Sequence, residues 1–202
     1  MSACLRFNDS KTCPRRACFR PSTVLLPVLV AILACRHEPK IASAQDYASL
    51  QVESSSFTGG GSIPQRFTCD GAGISPALKW SAPPSGAKSL AIVVHDPDAP
   101  IDFTHWIVFD IPPGVRSLAE GASSEGAMPE GAFEGTTDFG RTGYGGPCPP
   151  GGRRHHYRFH VYALDVRFDL PAGANRRQLE SAMDGHILAG GEIVGVYRRT
   201  GQ

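Results

Sequence analysis

No stretch of this 202-residue chain is long and apolar enough to cross a bilayer as a helix. The fully apolar run Val24–Cys35 (VLLPVLVAILAC) covers twelve residues, whereas a spanning helix needs about 20. Cysteine is also scarce where a fold would use it. Four of the six, Cys4, Cys13, Cys18 and Cys35, fall within residues 1–44. The remaining pair, Cys69 and Cys148, has no Cys or His partners at zinc-motif spacing. There is no nucleophile elbow, HExxH or P-loop, so the commonest hydrolase and nucleotide-binding signatures are missing. An excess of positive charge is lacking too. Seven of the 20 Lys and Arg, and only two of the 19 Asp and Glu, lie in residues 1–44. Residues 45–202 therefore carry a net charge of −4, which argues against nucleic acid as the partner. Internal repeats and a second domain are absent as well.

The first 44 residues have their own logic. Arg6, Lys11, Arg15, Arg16 and Arg20 precede the apolar run, and Ala42-Ser43-Ala44 follows it. A basic flank, a short apolar core and an A-x-A site are the parts of a secretory signal peptide. The expected organisation is a signal peptide over 1–44, cleaved after Ala44, and one domain over 45–202. Lipidation at Cys35, after Ile32-Leu33-Ala34, and an uncleaved N-terminal anchor are the alternatives. Export implies a periplasmic or secreted location, where two cysteines most often pair. A Cys69–Cys148 disulfide is expected.

The rest of the chain is organised around Leu90–Pro112. One apolar run breaks into Asp96-Pro97-Asp98-Ala99-Pro100, and a second opens at His105-Trp106. Two strands joined by a rigid polar loop are a common way to present a site. Upstream, residues 45–56 read as an edge strand, Ile63–Thr68 as a short strand, and Ser75–Trp80 as an extended segment with a core Trp. Residues 114–135 read as a long surface loop of the functional or mobile kind. The Gly- and Pro-dense run Asp138–Pro150 excludes helix and central strand. His155–Leu164 alternates as a strand, with Tyr157, Phe159, Val161 and Ala163 on one face. One helix is convincing: Asn175 as N-cap, Gln178 three residues later, and Leu179, Ala182, Met183, His186 and Ile187 at helical spacing, ended by Gly190-Gly191. A closing strand is expected over Glu192–Tyr197. The predicted class is mainly β: an antiparallel two-sheet sandwich with a few short helices, the clear one near the C-terminus.

The segments FTCDGAGISPALKW, HDPDAP, HWIVFDIP, DFGRTGYGGPCPP, HHYRFHVYALD and AMDGHILAGGEIVGVY, in this order and spacing, resemble the phosphatidylethanolamine-binding protein family. They are most similar to its bacterial, Raf-kinase-inhibitor-like branch. The resemblance spans nearly all of 45–202 and implies a large antiparallel sheet packed on a second sheet, with a small surface cavity for phosphate-like anions. Carried over residue by residue, it implies a pocket of Asp96, Asp98, Pro100 and His105 on one wall and Gly146, Pro149, His155 and Tyr157 on the other. The family usually reads His-Arg-Tyr where this chain has His155-His156-Tyr157. A one-residue shift would put His156 in the pocket, and His155, two before the Tyr, is favoured.

The chemistry of those residues suits an anion. His105 and His155 donate ring N–H groups and strengthen as donors when protonated, Tyr157 donates a hydroxyl, and Gly146 a backbone N–H. Asp96 can orient a histidine, and Asp96 or Asp98 can meet the ammonium of a phosphoethanolamine head group. Three functions follow as expectations. The first is an exported binding protein for small anions or phospholipid head groups, with peripheral membrane contact and a protein partner open to it. The second is an inhibitor of a peptidase or kinase acting through surface loops, and the third a His/Asp hydrolase. No catalytic residue, metal ligand or cofactor is assigned, and an enzyme is not expected.

Overall fold

The computed structural model describes residues 47–199. The expected signal peptide and its alternatives at Cys35 lie outside the described residues. Ten strands occur among the latter: β1 (Ala48–Ser49), β2 (Val52–Glu53), β3 (Leu78–Trp80), β4 (Ser89–Asp96), β5 (Phe103–Ile111), β6 (Ser117–Leu118), β7 (Phe133–Thr136), β8 (Arg154–Leu164), β9 (Gly173–Asn175) and β10 (Ile187–Arg198). A single 3₁₀ turn (Gln65–Phe67) and one α-helix, α1 (Arg176–Met183), complete the set.

A seven-stranded sheet runs β1-β10-β8-β4-β5-β7-β9, and a three-stranded sheet β2-β3-β6 packs on one face of it. The mainly β, two-sheet architecture is the one the sequence pattern predicts. Its five central strands are antiparallel, whereas β1 joins β10 and β9 joins β7 in parallel at the two edges.

The continuous apolar runs of β4 and β5 follow from burial on both faces. Leu90, Ile92 and Val94 point with Trp106, Val108, Tyr157 and Phe159 into the core shared with the small sheet. Ala91 and Val93 point the other way, with Ile107, Phe109 and Leu164, onto Leu179 and Met183 of α1. β8 shows the expected alternation, Tyr157, Phe159, Val161 and Ala163 buried and Arg154, His156 and Arg158 exposed.

Helix α1 begins as its sequence requires. Asn175 Oδ1 accepts from Gln178 N, and Gln178 Oε1 accepts from Asn175 N, a capping box. It ends sooner than its periodicity suggests. Asp184-Gly185 turns the chain, so His186 is not helical and Ile187 already opens β10. Gly190 and Gly191 do not stop the helix; they lie inside β10. A Cβ on Gly191 would sit 2.0 Å from the Leu50 carbonyl oxygen, and one on Gly190 2.6 Å from the Tyr47 ring. These glycines let the chain's first described residues lie flat on the sheet.

Three other expectations change. Residues 45–56 supply not one edge strand but β1 to the large sheet and β2 to the small one. Ile63–Thr68 is not a strand, because Pro64 has no N–H for a ladder and the next residues coil into the 3₁₀ turn that buries Phe67. Residues 114–135 lie largely at the surface, as expected, but contain β6 and the start of β7 and are anchored at a few points. Ala122 is buried there, and Glu134 accepts from Trp106 Nε1 at 2.7 Å and from Ser123 Oγ at 2.6 Å.

Candidate functional site

The end of β4, the start of β5 and the start of β8 lie side by side in the large sheet, so their side chains converge at one end of it. There they enclose a cavity of about 190 Å³. Asp96 comes from β4, Phe103 and His105 from β5, and His155 and Tyr157 from β8. Ala99 and Pro100 close it from the β4–β5 loop, and Phe139, Cys148, Pro149 and Pro150 from the Gly/Pro-dense run. Mostly apolar walls with a few converging polar groups are what small-molecule sites have.

The polar groups are held by specific hydrogen bonds. His155 Nδ1 donates to Asp96 Oδ2 at 2.7 Å, and both side chains are almost fully buried. Asp96 Oδ1 accepts from the Asp98 backbone N–H at 2.9 Å. His105 Nδ1 donates to the Gly145 carbonyl at 2.7 Å. A carbonyl only accepts, so the neutral His105 ring carries its proton on Nδ1 and presents Nε2 as an acceptor. Burial, only partly offset by the Gly145 carbonyl and the Asp96 carboxylate, holds the His105 pKa below its usual value.

Tyr157 is the unusual member. Its hydroxyl is the one buried side-chain polar atom with no hydrogen-bond partner among the described residues. Burial first, and the nearby Asp96 carboxylate second, push its pKa upward, so it remains a neutral donor. A buried hydroxyl without a partner costs about 1–3 kcal/mol unless something supplies the bond. Around it the rings form a cluster: His105 meets Tyr157 edge-on at 5.1 Å between centroids and Phe139 at 5.3 Å, while Phe103 meets Phe139 at 4.8 Å.

Of the residues proposed from the sequence, Asp96, Pro100, His105, Pro149, His155 and Tyr157 come together around this cavity. Asp98 does not line it. Its half-exposed carboxylate accepts from His156 N at 2.8 Å and His156 Nδ1 at 2.7 Å, and the bond from His156 holds its pKa low. Asp98 thus fixes the loop on β8. Each Asp96 oxygen already accepts one bond, while Asp98 Oδ1 accepts none among the described residues but lies outside the cavity. Gly146 lies behind the wall rather than in it, with its α-carbon so close to Phe67 and Thr68 that a Cβ would stand 2.6 Å from the Phe67 carbonyl oxygen. The choice between His155 and His156 falls on His155, because strand alternation turns His156 outward.

Phe103 and Phe139 escaped the reading of the sequence. Both look like ordinary apolar residues beside a loop, and only their exposure betrays a surface role: Phe139 is 40% exposed. Cys69 and Cys148, 79 residues apart, are bonded, with their α-carbons 5.3 Å apart. The bond ties the Pro149-Pro150 wall to the segment after the 3₁₀ turn. No cis peptide bond occurs among the described residues, Ala99-Pro100 included.

A second polar cluster sits on the opposite sheet face. His95 Nε2 and His160 Nε2 are 3.1 Å apart, His95 Nδ1 pairs with Asp102, and His160 Nε2 lies 3.4 Å from Glu192 Oε2. Burial, reinforced by the charge of His95, pushes His160 down to about 4 against the pull of Glu192. The β4–β5 loop is therefore pinned by three aspartate–histidine pairs: Asp96–His155, Asp98–His156 and Asp102–His95.

Residues 53–198 match the family model described as phosphatidylethanolamine-binding protein. The chain is 45% identical over 179 residues to a UPF0098 protein of Pyrococcus horikoshii, covering 87% of this chain and 89% of that one. It is 48% identical over 155 residues to a UPF0098 protein of Aquifex aeolicus, covering 75% and 90%. Among solved structures it resembles Escherichia coli YbcL, described as a new member of the mammalian PEBP family, with TM-score 0.70 and 36% identity over 75% of this chain and 99% of that one. A PEBP homolog of Chlamydia trachomatis aligns with TM-score 0.68 and 41% identity, over 75% and 98%. This chain, by family model, sequence and fold alike, belongs to the phosphatidylethanolamine-binding protein family.

Proposed function

We propose that this protein is a binding module whose small cavity takes a phosphate-type anion, free or as a head group. The observation that carries this is the Tyr157 hydroxyl, a buried donor on a residue lining the cavity that makes no hydrogen bond of normal geometry among the described residues, the Asp96 carboxylate beside it being the one acceptor that pulls on it. An anionic oxygen would satisfy it. His105 Nε2 and the His155 ring belong to the same lining, and each becomes a donor on protonation. Cys148, the one sulfur lining the cavity, is held in the disulfide and offers no thiol nucleophile. The disulfide also supports export to an oxidising compartment.

Titrating inorganic phosphate against the ring signals of His105 and His155 by NMR tests the reading. Shifts that saturate in the millimolar range or below are expected, and unmoved signals would falsify it. The pH dependence has a definite sign. A His105 pKa depressed in the free protein means the ring is neutral at pH 7 and charges only below about 6.5. A bound anion stabilises the charged ring, so binding takes up a proton and affinity rises as pH falls through that range. Sulfate, which keeps its charge across the range, separates this effect from titration of phosphate itself. Sulfate affinity is expected to rise up to tenfold per pH unit there, and a flat profile excludes His105 as a contact.

Tyr157→Phe gives an independent check with opposite effects on stability and binding. Deleting an unsatisfied buried hydroxyl relieves its desolvation cost, so the variant is expected to be more stable by about 1 kcal/mol in urea unfolding. The same change is expected to weaken phosphate at least fivefold. A variant that loses stability shows that the hydroxyl already has a partner.

A further inference from the structure

Beside the small cavity runs a second depression of about 530 Å³, and the two share Phe139 and Cys148 as a common wall. Any ligand too large for 190 Å³ that leaves by this side enters it. Its walls differ in kind from those of the cavity. Arg141, Glu134, Ser123 and Thr142 contribute to the lining, with backbone from Gly143 among others. The Arg141 guanidinium makes no hydrogen bond or ion pair among the described residues and lies over the Phe139 ring, 5.7 Å from its centroid. Glu134 Oε1 accepts two hydrogen bonds, from Trp106 and Ser123, while Oε2 accepts none among the described residues. The depression thus offers an unengaged fork of donors, an unengaged carboxyl oxygen and a partly exposed aromatic ring.

We infer that the cavity and this groove together bind a phosphorylated sugar or polyol, the phosphoryl group in the cavity and the hydroxylated carbon chain in the groove. The inference rests on the phosphate reading above and names the class of molecule attached to the phosphate. An acyl chain would gain nothing from walls of this polarity, since its burial energy comes from apolar contact. Vicinal hydroxyls, each donor and acceptor at once, match a planar guanidinium and a planar carboxyl group. The C–H face of a sugar suits the exposed side of Phe139. Ser123 links the two halves: its hydroxyl donates to Glu134 and accepts from Tyr144 N, so the free Glu134 oxygen is held in place.

Calorimetric titration of the intact protein with inorganic phosphate, glucose 6-phosphate and dihexanoyl phosphatidylethanolamine decides it, repeated on Arg141→Ala. Arg141 is exposed and its side chain supports no protein hydrogen bond, so the variant keeps the fold. Glucose 6-phosphate is expected to bind at least tenfold tighter than inorganic phosphate. Arg141→Ala is expected to erase that advantage and leave inorganic phosphate within twofold. Equal affinity for the sugar phosphate and inorganic phosphate overturns the inference and spares the phosphate cavity. Tightest binding by the short-chain lipid overturns it as well, in favour of an acylated ligand. If inorganic phosphate and sugar phosphate both fail to bind, the phosphate reading falls and this inference with it.

Discussion

Replacing Cys69 and Cys148 by serine is expected to destabilise the protein by about 4.5 kcal/mol, the chain-entropy value for a bridge spanning 79 residues. For a domain of this size that corresponds to a fall in Tm of about 10–15 °C. The bond joins two loops with little regular structure of their own: Thr68–Gly73, anchored by the 3₁₀ turn, and the run through Pro149-Pro150. One backbone hydrogen bond, Cys69 N to the Pro147 carbonyl at 3.1 Å, runs beside it. The second loop is a wall of the cavity, so phosphate affinity is expected to fall with stability, at least threefold at a temperature where the variant remains folded. Both cysteines are exposed, so a mild reductant acting on the folded protein offers the same test without mutation. A shift in Tm below about 3 °C would mean that the two loops hold their positions unaided.

Asp96→Ala is expected to have the largest effect on the site. The Asp96 carboxylate is buried and accepts from His155 Nδ1 and from Asp98 N. Removing it leaves the buried His155 Nδ1–H and the part-buried Asp98 N–H without partners, a loss of about 3 kcal/mol. The His155 ring is no longer oriented, and the loop carrying Ala99 and Pro100 loses its inner anchor. Phosphate affinity is expected to fall more than tenfold. Asp96→Asn keeps the volume and one carbonyl acceptor and should lie between the two in urea unfolding. If Asp96→Ala binds phosphate like the unmodified protein, then the His155 orientation does not matter to the site.

The central strands were legible because burial on both faces leaves a continuous apolar run, as in AIVV, and burial on one face leaves the alternation of β8. The capping box was legible because its chemistry is local. The misreadings share one cause, that distant partners decide local structure. Gly190-Gly191 looks like a helix stop until residues 47–50 are known to lie on it. Ile187 fits a helical periodicity that the Asp184-Gly185 turn interrupts. In the site, Asp96 and His105 could be placed because an apolar strand running into a polar loop marks a site edge, whereas His155 was placed through the family resemblance alone. Asp98 was misplaced because a carboxylate in a loop does not disclose which way it turns, and its partner His156 is 58 residues away. Phe103 and Phe139 were missed because aromatic residues beside a loop usually belong to the core.

The place of β10 governs when this domain can form. It is the last strand made, yet it lies between β8 and β1, pairing along its length with the first and receiving the second on its two glycines. Until the final dozen residues of the sheet leave the ribosome, β8 has an open edge and the start of the domain has nothing to dock on. The first and last strands of the described domain therefore complete the sheet through contacts of the greatest sequence separation, a topology that slows folding.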